Sequence, residues 1–290
     1  MTVGVFDGVH RGHVYLFSHL LRRARALDLA AGAVTLYPDP VRVLHPNRPF
    51  YYLTSLEERI ELLRATGIDF VAPLTFTSEL AELEPADFVA ILYQELGMRM
   101  LLMGPDNAFG RHREGSPEVI REIGEEMGFR VEVLPEPLVA SERPVHSTAI
   151  REALAEGNLR LVEELLGRPY SIRGPVMRGD QLGRKLGFPT ANIGVTPDRA
   201  LPKYGVYATW AYLGESRYAS ATDIGMRPHF GGDYVSVETY IMDFDADIYG
   251  QMLKIELVER ISAEEKFETL DQLKAKIAAD VAKAREILKA

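Results

Sequence analysis

The sequence predicts two domains of different class. A doubly wound parallel α/β domain comes first, and an antiparallel β-barrel domain that ends in a helix follows. Three observations carry this. Strand-like and helix-like periods alternate from the start to about residue 166. Five strand-like runs then follow with no helix between them. The 290 residues are enough for two ordinary domains.

The front elements read in order. Thr2 to Phe6 is a short buried strand, and an amphipathic helix starts at Gly12 with Leu16, Phe17, Leu20, Leu21 and Ala24 on one side. Ala33 to Tyr37 is a strand. Ser55 to Ala65 is a helix opened by the capping box Ser55-Leu56-Glu57-Glu58. Phe70 to Leu74 is a strand, and Pro85 to Leu96 is a helix with proline in its first turn. Met98 to Met103 is a strand, Ser116-Pro117 opens a helix running to Met127, and Phe129 to Leu134 is a strand. Alternation of this kind makes a parallel sheet with helices on both faces, and ligands bind such sheets at the carboxyl ends of the strands.

Thr148 to Leu154 and Leu159 to Leu166 read as two short helices. The strand-like runs behind them are Tyr170 to Met177, Gly205 to Leu213, Tyr218 to Ile224, Val235 to Phe244 and Met252 to Val258. A last helix spans about Ala263 to Leu288, with Phe267, Leu270, Leu273, Ile277, Val281 and Ala284 on its apolar side. The domain boundary is expected near Gly167-Arg168-Pro169, which gives domains 1–167 and 168–290.

Composition narrows the function. The formal net charge is −9, which argues against non-specific binding to nucleic acid or to an anionic membrane. Anionic substrates must then be held by local donors. The chain has no cysteine, so disulfides, thiolate nucleophiles and cysteine-ligated metals are excluded, and the composition fits the cytoplasm. No apolar run reaches transmembrane length and no signal peptide is visible. The partners expected are small molecules. Nothing in the sequence sets the oligomeric state.

Two motifs carry chemistry. The first is GVFDGVHRGH, from Gly4 to His13. A strand, a tight turn and a helix N-terminus form an anion site, because free backbone N–H groups and the helix dipole point at the ligand. His10 and His13 stand at its mouth, and Gly4, Phe6, Asp7 and Gly8 are expected to bind the phosphates with them. The turn has neither a Walker lysine nor a GxGxxG run. HxGH in such a turn marks nucleotidyltransferases, which transfer a nucleotide and release pyrophosphate. Paired surface histidines are the plainer alternative.

The second motif runs from Gly179 to Asn192. Gly179, Gly183 and Gly187 let a loop close over a phosphate, and Arg184 neutralises phosphate charge. Thr190 and Asn192 offer hard oxygen ligands for Mg²⁺. Downstream, Glu238 lies on the strand face opposite Val237, Thr239 and Ile241. It becomes a candidate base only if that face meets Thr190 and Asn192.

Both motifs, in this order, resemble the bacterial bifunctional riboflavin kinase/FAD synthetase family over essentially the whole chain. The resemblance extends to Tyr37-Pro38-Asp39-Pro40, Gly104 to Gly110 with Asp106, Ser147-Thr148-Ala149-Ile150-Arg151, Leu166 to Tyr170, Ile224 to Pro228, Val237-Glu238 and Asp247 to Gly250. It implies that the back domain phosphorylates riboflavin with ATP to give FMN. Thr190 and Asn192 would hold Mg²⁺ and Glu238 would take the hydroxyl proton. The front domain would adenylylate FMN with a second ATP to give FAD and pyrophosphate. His10 and His13 would stabilise phosphate charge there, and Ser147, Thr148 and Arg151 would bind ATP phosphates.

Several positions depart from the family pattern. Asp39 stands for His, Asn107 for Phe, Ala149 for Arg, His229 for Thr and Ser262 for Arg, and the family carries a longer lead before its first strand. These departures keep open a riboflavin kinase with a weakened front domain. A non-catalytic flavin-binding protein is the remote alternative.

Overall fold

The computed structural model describes the chain except residues 135–138, 141–142, 180–181, 228–233 and 266, and except the side chains of 139–140, 143–144, 182 and 234. Asp180, Gln181, Pro228, His229 and Lys266 thus lie outside the described residues. The chain divides into two compact units, Met1–Ser147 and Thr148–Ala290.

The first unit runs β1 (Thr2–Gly4), α1 (Arg11–Ala26), β2 (Gly32–Tyr37), α2 (Pro40–Leu44), α3 (Leu56–Ala65), β3 (Phe70–Thr75), α4 (Ser78–Ala81), α5 (Pro85–Glu95), β4 (Met100–Met103), a 3₁₀ turn at Arg111–Arg113, α6 (Pro117–Met127) and β5 (Arg130–Val133). The short strands β6 (Val139–Ala140) and β7 (Arg143–Pro144) pair with each other. The main sheet is parallel throughout, in the order β3-β2-β1-β4-β5. The order reverses between β1 and β4, so the ligand crevice of this fold opens at their carboxyl ends.

Two cores sandwich the sheet. Leu16, Phe17, Leu20 and Ala24 of α1 pack with Leu63 of α3 in one. Phe88 and Leu92 of α5 pack with Ile120 of α6, Val3 and Leu101 in the other. The capping box at Ser55 is formed as its sequence predicts: Ser55 Oγ accepts from Glu58 N at 3.2 Å, and Ser55 N donates to Glu58 at 2.7 Å.

The second unit contains most of α7 (Ser147–Glu156), then α8 (Leu159–Leu166), β8 (Ser171–Met177), α9 (Leu182–Leu186), β9 (Thr190–Ile193), β10 (Gly205–Leu213), β11 (Ser216–Arg227), β12 (Tyr234–Ile241), β13 (Met252–Ser262) and α10 (Leu270–Leu288). The helical pair was expected in the front domain; it falls in the second compact unit, where Lys203 N donates to Leu154 O at 3.0 Å.

Six strands close an antiparallel barrel in the order β10-β11-β12-β9-β8-β13. The sixth, β9, is the short Thr190–Ile193 segment, whose four residues carry no strand-like period. The last helix starts at Leu270 rather than near Ala263, capped by Thr269, whose side chain accepts from Gln272 N. Leu270, expected on the apolar side, is 60% exposed. Val281, Ala284 and Leu288 do the packing, against Ala208, Ala221 and Met242.

The barrel interior holds a chain of buried hydroxyls. Thr209 Oγ1 lies 2.7 Å from Ser220 Oγ and 2.8 Å from Thr222 Oγ1, which lies 2.9 Å from Thr239 Oγ1. Pairing satisfies these groups, which would each be costly if left alone in the core.

The barrel also depends on a close backbone approach where β8 meets β9. A Cβ on Gly174 would lie 1.9 Å from Gly194 O, a backbone atom that cannot swing aside. Gly174→Ala is therefore expected to destabilise the barrel by about 1–3 kcal/mol. Urea unfolding followed by Trp210 fluorescence in the barrel checks this, and a parental midpoint would contradict it.

Candidate functional sites

The turn after β1 is built from unusual backbone. Phe6 has φ 56°, Gly8 φ 79° and Val9 φ 38°, and Val9 N donates to Phe6 O at 3.0 Å. Positive φ at a bulky residue and at a β-branched one stores strain, which persists only where surroundings over-determine it. Asp7 does this. Its carboxylate, 2% exposed, accepts from Leu53 N at 2.9 Å and from Thr54 N and Thr54 Oγ1 at 3.0 Å each. Gly8 N donates to Thr54 Oγ1 at 3.1 Å.

Fully buried Arg59 of α3 lies 3.5 Å from Asp7 and donates to Val5 O at 2.9 Å and Leu36 O at 3.3 Å. Asp7, expected among the phosphate-binding residues, thus has its carboxylate committed to the scaffold. Arg59 was read only as part of a helix. Its partner lies 52 residues away, and no local pattern announces such a pair.

His10 is the N-cap of α1, and its Nδ1 accepts from His13 N at 3.3 Å. The neutral ring therefore carries its proton on Nε2. The two imidazoles stack with centroids 3.6 Å apart, and Phe6 meets His13 edge-on at 5.2 Å. Gly4 leaves room for Phe6, since a Cβ there would lie 2.9 Å from its ring. Ser147 Oγ donates to Asp7 O at 3.0 Å, which ties the start of α7 to the turn. Thr148 and Arg151 follow in α7 and belong to the second compact unit.

The second strand end adds two loops. Asp39 caps α2 by accepting from Val41 N at 2.8 Å, and Asp39 N donates to Tyr52 OH at 2.8 Å. The acid in the family's His position thus serves as a helix cap. Burial first, then the Asp39 charge, push the Tyr52 hydroxyl pKa up, against the hydrogen bond from Asp39 N. After β4, Asp106 is exposed, and its carbonyl accepts from Arg113 Nη2 at 2.8 Å. Asn107 N donates to Gly104 O at 3.2 Å, closing the loop on itself.

In the barrel, strand register decides the site. β12 pairs with β9 so that Glu238 stands opposite Asn192 and Tyr240 opposite Thr190. Paired residues share a face, and alternate residues share it too. Thr190, Asn192 and Glu238 are therefore together, and Thr190 Oγ1 donates to Glu238 Oε2 at 3.2 Å. β11 adds Asp223 directly opposite Glu238. Arg227 Nε donates to Glu238 Oε1 at 3.4 Å, and Arg227 Nη2 makes a very short contact with Asp223. Burial raises the Asp223 carboxyl pKa against the opposing pull of Arg227. Burial opposes the Arg227 charge, but Asp223 and Glu238 more than offset it and raise its pKa.

Each glycine of the second motif has its own reason. A Cβ on Gly179 would lie 2.5 Å from Asn192 Nδ2, and one on Gly183 would lie 2.4 Å from Phe188 O. Gly187 has φ 88° at the end of α9. Arg184 of α9 lines a cavity of about 290 Å³ with Thr190, Thr239, Phe244, Asp247 and Tyr249. This cavity was not read from the sequence. Its far wall, residues 244–249, contains the Asp247-Ile248-Tyr249 run, quoted only as part of a motif.

A doubly wound domain with an anion turn, joined to a closed barrel with clustered oxygen ligands, defines a two-part nucleotide-handling chain. The FAD synthetase family model matches residues 1–149 and the riboflavin kinase model matches 166–288. A bifunctional riboflavin kinase/FMN adenylyltransferase of Escherichia coli K12 is 36% identical over 99% of this chain and 91% of its own length. The Listeria monocytogenes enzyme of the same description is 34% identical over 97% and 89%. The chain belongs to the bifunctional riboflavin kinase/FMN adenylyltransferase family.

A solved structure from Streptococcus pneumoniae, described as a macrolide-efflux protein, superposes with a TM-score of 0.87 at 30% identity, over 98% of this chain and 93% of its own. That description differs from those of the sequence relatives. The likeness supports the fold of the whole chain, and the family rests on the sequence matches. No helix among the described residues is long and apolar enough to cross a membrane.

The anchor of the front turn is open to test. Asp7→Ala leaves the Arg59 guanidinium buried beside no carboxylate and is expected to cost about 3–5 kcal/mol of stability. Denaturant unfolding of the first unit checks this, and parental stability would show that other contacts hold the turn.

Proposed function

We propose that the chain makes FMN from riboflavin and ATP at the barrel site, within the expected domain 168–290, and FAD from FMN and a second ATP at the β1 turn, within the expected domain 1–167. The observation that carries this is the register of β9 on β12. It sets two hard oxygen donors and one carboxylate side by side, joined by the Thr190–Glu238 hydrogen bond. Thr190 spends its hydroxyl proton on Glu238, which leaves its lone pairs for a cation. Asn192 presents an amide oxygen on the same face. Among the described residues no cluster of three His, Asp or Glu side chains is set to hold a metal. Mg²⁺ would rest on Thr190, Asn192 and the phosphates of ATP, and it would supply charge neutralisation there.

In the kinase step the ribityl 5′-hydroxyl attacks the γ-phosphorus of ATP. The bond from γ-phosphorus to the β-bridging oxygen breaks, ADP leaves, and the hydroxyl proton passes to Glu238. The cavity beside Thr190 is the place for ATP, with Arg184 at its phosphates. In the second step an FMN phosphate oxygen attacks the α-phosphorus, and pyrophosphate leaves. The Nε2–H of His10 and the ring of His13 stabilise charge on the transferring and leaving phosphates. Ser147 sits at the same turn, while Thr148 and Arg151 keep the roles that their motif implies. Both steps draw on ATP, and the reading sets the enzyme in the cytoplasm, with small molecules as its partners. A kinase-only reading is less favoured, because His10, His13 and Ser147 stand together at an intact turn.

Variants separate the two activities in a chromatographic assay of flavins. Thr190→Ala and Asn192→Ala are expected to stop FMN formation while FAD synthesis from supplied FMN continues. His10→Ala and His13→Ala are expected to do the reverse, with losses on the order of 10²–10³ in FAD formation. Loss of both activities in any one of them would contradict the separation. Glu238→Gln keeps the size but removes the base and one of its two acceptor oxygens, so kinase turnover should fall about 10²–10⁴-fold. Parental turnover would remove Glu238 from the mechanism.

A further inference from the structure

We infer that Arg227 is a positioning residue of the kinase step: held by Asp223 and Glu264, it clamps one oxygen of Glu238 so that the other stays at Thr190. This rests on the reading of Glu238 as the base.

Three carboxylates crowd one strand face here. Asp223 stands directly opposite Glu238 in the β11–β12 pair. Like charges in that relation repel. Glu264, just beyond β13, brings the third. It reaches the face because Gly225 has no side chain, since a Cβ there would lie 2.2 Å from Glu264 Oε1. Left to themselves, these groups would push Glu238 away from Asp223, and its flexible side chain would leave Thr190.

Arg227 removes that repulsion with one planar fork. Its Nη2 contacts Asp223, its Nε lies 3.4 Å from Glu238 Oε1, and its Nη1 lies 3.9 Å from Glu264 Oε1. Nε and Nη2 hydrogen-bond two different carboxylates and so set the plane of the guanidinium, while Glu264 attracts Nη1 from a longer distance. A lysine ammonium supplies the charge without this geometry. The arginine side chain is 37% exposed, so these pairs add little to global stability. Their consequence is orientation. With Oε1 held by Arg227, Oε2 accepts from Thr190 Oγ1, and the carboxylate faces the Thr190–Asn192 side.

The test is steady-state FMN formation by the full-length protein with riboflavin, ATP and Mg²⁺. Arg227→Met is expected to lower kcat roughly 10–100-fold, the loss of one charge-assisted contact to the base. The KM for ATP should move by no more than about twofold, because ground-state binding does not use this contact. Arg227→Lys should recover part of the rate. Arg227→Ala should gain kcat as free guanidinium is titrated in, which a merely structural defect would not allow.

Parental kcat in Arg227→Met beside an inactive Glu238→Gln would overturn the clamp and leave the base standing. Full activity in Glu238→Gln would overturn the base and the clamp with it. A rate loss that tracks loss of folded barrel and ignores guanidinium would also overturn the clamp. Should Arg227→Met fail to fold, Arg227→Gln carries the test: it keeps a polar side chain but neither the charge nor the fork, so kcat should fall about tenfold, and a parental value would overturn the proposal.

Discussion

Asn192 stands opposite Glu238, and from that one register most of the barrel chemistry follows. The side-chain period of a strand is two, so a slip of one residue would turn Thr190, Asn192 or Glu238 to the other face and dissolve the site. The same register sends Ala191 and Thr239 inward, where Thr239 joins the buried hydroxyl chain. That chain ties β12 to β11 and β10. Thr209, Ser220, Thr222 and Thr239 pair across β10, β11 and β12, and misalignment of those three strands would strand them unpaired in the core. The barrel thus carries one polar network inside, across β10, β11 and β12, and another on the opposite face, where Thr190 meets Glu238.

The front unit solves a related problem by different means. Its anion turn needs three positive φ values in four residues, and two of these belong to Phe6 and Val9. Such a turn is not self-supporting. Asp7 and Arg59 hold it from below, and Arg59 extends the support to Leu36 at the end of β2, next to the Tyr37–Asp39 loop. The buried pair is costly to desolvate, but removing either partner would cost more. Stacked His10 and His13 then sit on a platform whose position is set by charge and backbone hydrogen bonds rather than by their own packing.

Much of this was legible in the sequence, for physical reasons that differ by element. Long amphipathic helices such as α1 and α6 announce themselves by period, and the caps at Ser55 and Ser116 by residue type. The four residues of β9 are too short for any period, and the glycines and proline before them read as loop. The face of Glu238 was open because alternation shows two faces without naming their neighbours; only pairing with β9 decides it. Arg59 and Arg227 show the limit most plainly. Arg59 acts wholly through other elements, and Arg227, although Asp223 is on its own strand, meets Glu238 and Glu264 from elsewhere in the chain, so neither shows its role in a local pattern. Asp39 and Ser262, where the resemblance implies His and Arg, each have a partner in the structure. Asp39 caps α2, and Ser262 Oγ lies 3.3 Å from each carboxylate oxygen of Asp280. Nearby on β13, Arg260 Nη2 donates to Tyr204 O at 2.6 Å.

The central claim is that two different phosphorus atoms of ATP are attacked at two sites on one chain. Isotope tracing tests it most directly. The purified protein would be incubated with riboflavin, Mg²⁺ and ATP labelled on either the α- or the γ-phosphate, and the flavins separated. The account predicts γ label in both FMN and FAD, and α label in FAD alone. Absence of α label from every flavin, or FAD that carries no γ label, would contradict it.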